Sequence, residues 1–179
     1  MVKYDALRGR NTNSRQQSRS FMDSKLTKAI MLLFLVASPW LMVQAWVLVA
    51  AQDETINTME TCPDVSSNCA HLGGEATYRM EAKPTVLERS IERIVSNLSE
   101  YITDCDCNIL EEKQSESEYF VHFVEHTPFW QFPDDVLITI EKIDETSARI
   151  ELHSESRLGI GDMGVNPERL ERIYSEISG

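Results

Sequence analysis

Residues 29–51 lack charge altogether, and Ser38 and Gln44 are the only clearly polar side chains in that run of 23. At about 1.5 Å per helical residue such a run crosses the roughly 30 Å hydrocarbon core of a bilayer. Pro39 interrupts it, which membrane helices tolerate. The rest of the chain lacks positive charge: residues 52–179 carry 10 basic and 27 acidic residues, a net of −17. That balance repels phosphate, so no nucleic-acid partner is expected. Two signatures of chemistry are also missing. There is no Gly-x-x-x-x-Gly-Lys-Ser/Thr phosphate loop and no Gly-x-Ser-x-Gly nucleophile turn. The four cysteines, Cys62, Cys69, Cys105 and Cys107, lack the spacing usual for zinc ligands. No metal and no cofactor are expected.

What is present sorts by region. Residues 1–28 hold seven Lys/Arg against Asp5 and Asp23 and read as a basic solvated tail. A basic flank before the apolar run, with none just after it, puts the N-terminus in the cytosol and the following domain outside. Residues 29–51 are therefore expected to be a transmembrane signal anchor, giving a single-pass membrane protein with an extracytoplasmic C-terminal domain. Cleavage after Val49-Ala50-Ala51 is the alternative, leaving a secreted or organelle-lumen protein. An even number of cysteines, all beyond the apolar run, fits disulfides in an oxidising compartment. Cys62–Cys69 closes a short loop; Cys105 and Cys107, if on one strand, would be strained by bridging to each other.

Residues 52–75 read as a Cys-containing connector and residues 76–179 as an α+β domain. Thr77–Ala82 alternates weakly, as a strand does. Pro84 suits the first turn of a helix, and Leu87, Ile91, Ile94, Val95, Leu98 and Tyr101 recur at helical spacing. Asn108–Glu111, Tyr119–Glu125, Asp135–Lys142 and the segment bearing Ala148, Ile150 and Leu152 read as strands joined by short turns, hence antiparallel. Asn166 and Pro167 read as the cap and first residue of a final helix. The expected order is β-α-β-β-β-β-α: an antiparallel four- to five-stranded sheet with two helices on one face, preceded by one transmembrane helix.

Three of the seven glycines, Gly159, Gly161 and Gly164, fall within six positions between the last strand and the last helix. Such a cluster marks a backbone path closed to other residues. The blocks Cys62-Pro63, Asn68-Cys69, Phe132-Pro133-Asp134-Asp135-Val136, Ser154-Glu155-Ser156-Arg157-Leu158-Gly159 and Asp162-Met163-Gly164-Val165-Asn166, followed by a short helix with Arg169, resemble the domain of unknown function 1499 family over roughly Cys62 to Ile177. The family usually reads Pro-Asn-Cys-Val-Ser-Ser near its start, whereas here Ser66-Ser67 precede Asn68-Cys69. The resemblance implies an envelope or organellar protein of unknown activity and supplies no catalytic residues.

Candidate binding residues are Trp130, Phe132, Asp134, Asp135, Ser156, Arg157, Gly159, Asp162, Asn166 and Arg169. Asp134 and Asp135 begin one strand, while Arg157 and Asp162 follow its antiparallel neighbour, so all four belong to one rim. Arg157 can clamp a carboxylate bidentately. The structural form of this reading has Asp134 or Asp135 receive that clamp; the functional form makes the glycine loop and the helix N-terminus an anion site, with Arg157 and Arg169 as counter-charges. The spacing Gly159-x-Gly161-x-x-Gly164 is not a dinucleotide fingerprint, which needs a parallel βαβ unit. His122 and His126 share a strand face and would permit a metal pair; Ser156, His153 and Asp135 would permit a hydrolytic set. The leading expectation is a non-enzymatic domain that binds a ligand, lipid or protein partner through the sheet's uncovered face and the Phe129–Phe132 rim. The alternatives are an enzyme or anion site built on Asp135, Arg157 and Asp162, and a structural assembly factor.

Overall fold

The computed structural model describes the backbone of residues 5–179 and side chains from Ser24 onward, Glu75 excepted in both. Two compact units, Met1–Ala45 and Trp46–Gly179, divide the chain. Helix α1 spans Asp5–Ala50. Its stretch Ser24–Ala50 has a mean hydropathy of 2.0, which makes it a candidate membrane span. Residues 5–28, read as a tail, carry helical backbone; the side chains of residues 1–23 lie outside the described residues. Pro39 has no N–H to give the carbonyl of Leu35 four residues back. The hydroxyl of Ser38 donates to that carbonyl instead, at 3.1 Å. Pro39 therefore leaves the Leu35 carbonyl with a partner inside the apolar stretch.

The second unit is built on six antiparallel strands: β1 (Cys69–Leu72), β2 (Val86–Leu87), β3 (Asn108–Gln114), β4 (Glu118–His126), β5 (Pro133–Lys142) and β6 (Ala148–Ser156). The sheet order is β1-β6-β5-β4-β3, with the short β2 also pairing with β6. Alternation along each strand sends Ala70, Leu72, Tyr119, Val121, Phe123, Val136, Ile138, Ile140, Ala148, Ile150 and Leu152 to one face. Helix α2 (Ile91–Asp104) and helix α3 (Val165–Ser178) close that face. They contribute Ile91, Ile94, Leu98, Ile102, Leu170, Ile173 and Ile177 to a single core. The fold is α+β, as the sequence pattern requires.

Local expectations change in three places. The first strand is Cys69–Leu72, within the stretch read as connector, while the Thr77–Ala82 segment keeps only a Tyr78 bridge to His71. Helix α2 starts at Ile91, where the Ser90 side chain accepts from the Arg93 N–H. Pro84 therefore opens no helix, and Leu87 lies in β2. Helix α3 starts at Val165, so Asn166 is inside it and does not cap it.

The sheet's other face is not bare. Phe120, His122, Val124, Leu137, His71, His153 and Cys69 point there and are buried. Residues 52–62, an extended strap, cross over them. The Ile56 N–H donates to His122 Nδ1 at 3.1 Å. Lys113 donates to the Asn57 carbonyl at 3.0 Å, and Cys62 is bonded to Cys69 with Cα atoms 5.7 Å apart. Cys105 and Cys107 also pair, with Cα atoms 5.2 Å apart. They flank Asp106, whose φ of 52° turns the chain, so the strand geometry that would have opposed this bridge does not apply.

Candidate functional site

Of the buried side chains, Arg169 on α3 is the largest, with 1% of its surface exposed. Its Nη2 meets Asp134 Oδ2 at 2.7 Å, and its Nη1 donates to Asn166 Oδ1 at 2.6 Å and Ser154 Oγ at 3.0 Å. Nε lies 3.2 Å from Glu125 Oε1 as an ion pair without hydrogen-bond geometry. Asn166, wholly buried, accepts from Ser154 Oγ at 2.7 Å and donates to Asn68 O at 2.7 Å and Ser156 Oγ at 3.0 Å. Asn166 therefore joins α3 to β6 and to the chain entering β1. Burial pushes the Asp134 carboxyl above the usual range while Arg169 pulls against it.

The glycine-rich loop is fixed from two sides. Gly159 and Gly164 both adopt φ of +91°, a region closed to most side chains. Gly161 instead packs where an added Cβ would meet Ser67 Oγ at 3.3 Å. Ser67 Oγ donates to Ile160 O, and its carbonyl accepts from the Asp162 N–H at 3.0 Å. Asn68 Nδ2 donates to Ser156 O at 3.1 Å. The Asn68-Cys69 block and the glycine block, distant in sequence, are thus one structure. Asp162 takes the capping role expected of Asn166. Its oxygens accept from the N–H groups of Gly164 at 2.9 Å and Asn166 at 3.3 Å, and Arg79 holds both oxygens at 3.0 and 2.6 Å. Burial opposes ionisation, but those Arg79 bonds hold the Asp162 carboxyl below the usual range.

Beside the loop is a cleft of about 280 Å³ with walls from Trp46, Trp130, Phe132, Leu158, Met163 and Val165. Asp134, Ser156 and Asp162 also line it. Asp134 Oδ2 is taken by Arg169, while Asp134 Oδ1 is buried and has no hydrogen-bond partner among the described residues. Around the mouth, Phe129, Ile160 and Met163 are largely exposed. Trp130 stacks on Phe132 with ring centroids 6.4 Å apart.

On the strap-covered face, Arg157 holds Asp135 bidentately through Nε and Nη2 at 2.8 and 2.7 Å, and reaches strap residue Asp53 at 2.6 Å. His122 Nε2 is 2.7 Å from Asp135 Oδ1. Since His122 Nδ1 accepts from Ile56, Nε2 carries the proton and donates. Burial opposes Asp135 ionisation, yet His122 and Arg157 together hold it below the usual carboxylate range. Further along, His71 Nδ1 lies 3.3 Å from His153 Nδ1. Burial and then the neighbouring His153 bring His71 down to about 4.

The rim thus divides. Trp130, Phe132, Asp134, Ser156, Gly159, Asp162, Asn166 and Arg169 gather around the cleft or the network behind it. Asp135 and Arg157 line a separate cavity of about 540 Å³ with Ile56 and Glu60. Asp162 does not join them, and both Arg157 and Arg169 already hold carboxylates. His153 and Ser156 point to opposite faces of β6, which separates the hydrolytic set. His122 is buried against Asp135 whereas His126 is exposed, so that pair does not assemble. Arg79 and the strap's Ile56 and Glu60 escaped the sequence reading. Arg79 sits at φ 54°, with no motif to flag it.

No curated protein matches the chain. A family model described as "Protein of unknown function (DUF1499)" matches residues 55–177, beginning inside the strap and ending in α3. The match takes in both covers of the sheet, the Asn68 and glycine blocks that meet in space, and the buried Arg169 network: the chain belongs to the DUF1499 family of proteins of unknown function.

Proposed function

We propose that this protein is a membrane-tethered extracytoplasmic domain that takes up an apolar chain bearing a hydrogen-bond donor, such as a lipid hydroxyl, in the cleft beside the glycine loop. One observation carries the reading: six apolar side chains wall a cleft whose lining includes a buried carboxylate with an unpartnered oxygen, Asp134 Oδ1. An unsatisfied buried acceptor costs about 1–3 kcal/mol, which a ligand hydroxyl would recover. Exposed Phe129, Ile160 and Met163 at the mouth suit an apolar surface. The apolar stretch of α1 supplies the tether, and the basic residues before it favour the orientation with the domain outside.

The test uses the full chain in detergent micelles and two dansyl-labelled probes, a long-chain alcohol and the matching fatty acid. Energy transfer from tryptophan should report the alcohol bound at least about tenfold more tightly, because the acid would place a second carboxylate beside Asp134. Trp130→Ala with Phe132→Ala should abolish binding, followed by dansyl emission excited directly so that the lost tryptophan does not itself remove the signal, while the melting temperature holds. Equal binding of both probes, or binding indifferent to the double variant, removes the reading. Protease protection in sealed vesicles tests the orientation separately.

A further inference from the structure

On the strap-covered face, Glu60, His153 and Glu155 bring one imidazole nitrogen and two carboxylate oxygens within 4.8 Å of one another. They come from two elements: Glu60 from the strap, His153 and Glu155 from β6. We propose that these three side chains form a binding site for a divalent transition-metal ion, with zinc as the reference case. Imidazole plus carboxylate is a donor set that suits such ions, and two carboxylates balance the ion's charge.

The decisive observation is how His153 is held. Its side chain is 1% exposed. His71 Nε2 lies 3.2 Å from Glu151 Oε1 as an ion-pair contact without hydrogen-bond geometry. His71 Nδ1 and His153 Nδ1 lie 3.3 Å apart and share one proton between them. With that proton on His153 Nδ1, the tautomer a metal would select, His153 Nε2 presents a lone pair 3.8 Å from Glu155 Oε2. A buried lone pair facing carboxylates is unfavourable until a cation lies between them. Orientation of a ligating histidine by a proton-accepting partner on its other nitrogen is how metal sites fix the tautomer. Three ligands about 2.0–2.2 Å from a shared ion lie about 3.3–3.8 Å from one another, so closure from 4.8 Å takes a shift of up to about 1 Å. Glu60 is exposed on the strap and supplies that movement. Binding would fasten the strap to the sheet two residues before the Cys62–Cys69 bridge.

Cys62 and Cys69 also lie within reach of His153, but their sulfurs are bonded to each other, so the carboxylates are the donors in the oxidised protein. The test is zinc titration of the full chain in detergent, without reductant, against a chromophoric chelator. One zinc per chain is expected. Glu60→Gln and Glu155→Gln should each weaken it at least about tenfold. Glu60 is exposed and Glu155 half-buried, so both variants should keep the melting temperature of the metal-free protein. Zinc should also slow hydrogen exchange of residues 55–61 in the wild type and not in Glu60→Gln. Three outcomes overturn the proposal: no binding, affinity unchanged by Glu60→Gln, or binding that appears only after the disulfide is reduced.

Discussion

The two faces of the sheet are covered by different means. Helices α2 and α3 cover one with a continuous apolar stripe, and its polar groups meet at a single buried cluster around Arg169. An eleven-residue strap, 52–62, covers the other through individual polar ties: Ile56 to His122, Asn57 to Lys113, Asp53 to Arg157 and one disulfide. Burial on the first face follows from hydrophobic area. On the second it depends on a few bonds, several to exposed strap residues. A face held that way opens at lower free energy than the rest of the fold.

Breaking each cover in turn tests the contrast. Arg169→Leu should have the largest effect, about 3–5 kcal/mol by chemical denaturation, because Asp134 is left as an unpaired buried charge. Asp134→Leu added to it should recover a large part of that loss; a double variant no more stable than Arg169→Leu would show that the charge is not the cause. Arg157→Ala should cost less, about 1–3 kcal/mol, with faster hydrogen exchange confined to residues 52–57. Exchange that rises equally in α2 would erase the distinction between the faces.

Acid should act on the glycine loop. Asp162 lies below its unfolded value, so the stability it supplies is complete above about pH 4 and drains away as pH falls through its folded pKa. Asp134, raised by burial, has the opposite sign: its contribution is complete below the unfolded carboxylate value and is lost as pH rises through its folded pKa. Melting curves from pH 6 to 3 should therefore fall less steeply for Asp162→Asn than for the wild type, and equal slopes would exclude the loop as the acid-sensitive element. Smallest of all should be the stability cost of Trp130→Ala, about 1 kcal/mol or less, measured by melting temperature.

Much of this architecture was legible in the sequence. Period-two patterning fixed the inward residues of β5 and β6, since Val136, Ile138, Ile140, Ala148, Ile150 and Leu152 all lie in the core. Antiparallel geometry put Asp134, Asp135 and Arg157 on one rim but left open which aspartate Arg157 clamps; it is Asp135, since Asp134 faces the helices and meets Arg169. What escaped depended on long-range partners. Strand β1 is four residues long and buried throughout, so it has no alternation to read, and it exists because β6 offers an edge. The strap has no periodicity because it is held by single bonds. Asn166 looks like a helix cap by type and position. Only the approach of Asp162, itself fixed by Arg79, frees it to enter the core network. The separation of His153 from Ser156 is the simplest omission: residues an odd number apart on a strand face opposite ways.

The order β1-β6-β5-β4-β3 sets the timing of assembly. Strands β3 to β6 form a meander of successive hairpins, each closing from local contacts, whereas β1 pairs with β6 across 82 residues at His71 and His153. Distant pairings form late because their loop entropy must be met first. A chain emerging N-terminus first therefore holds β1 and its attached strap unpaired until its last strand has been synthesised. Until then the strap side of the meander stays open, and one late docking event completes both the sheet and its second cover.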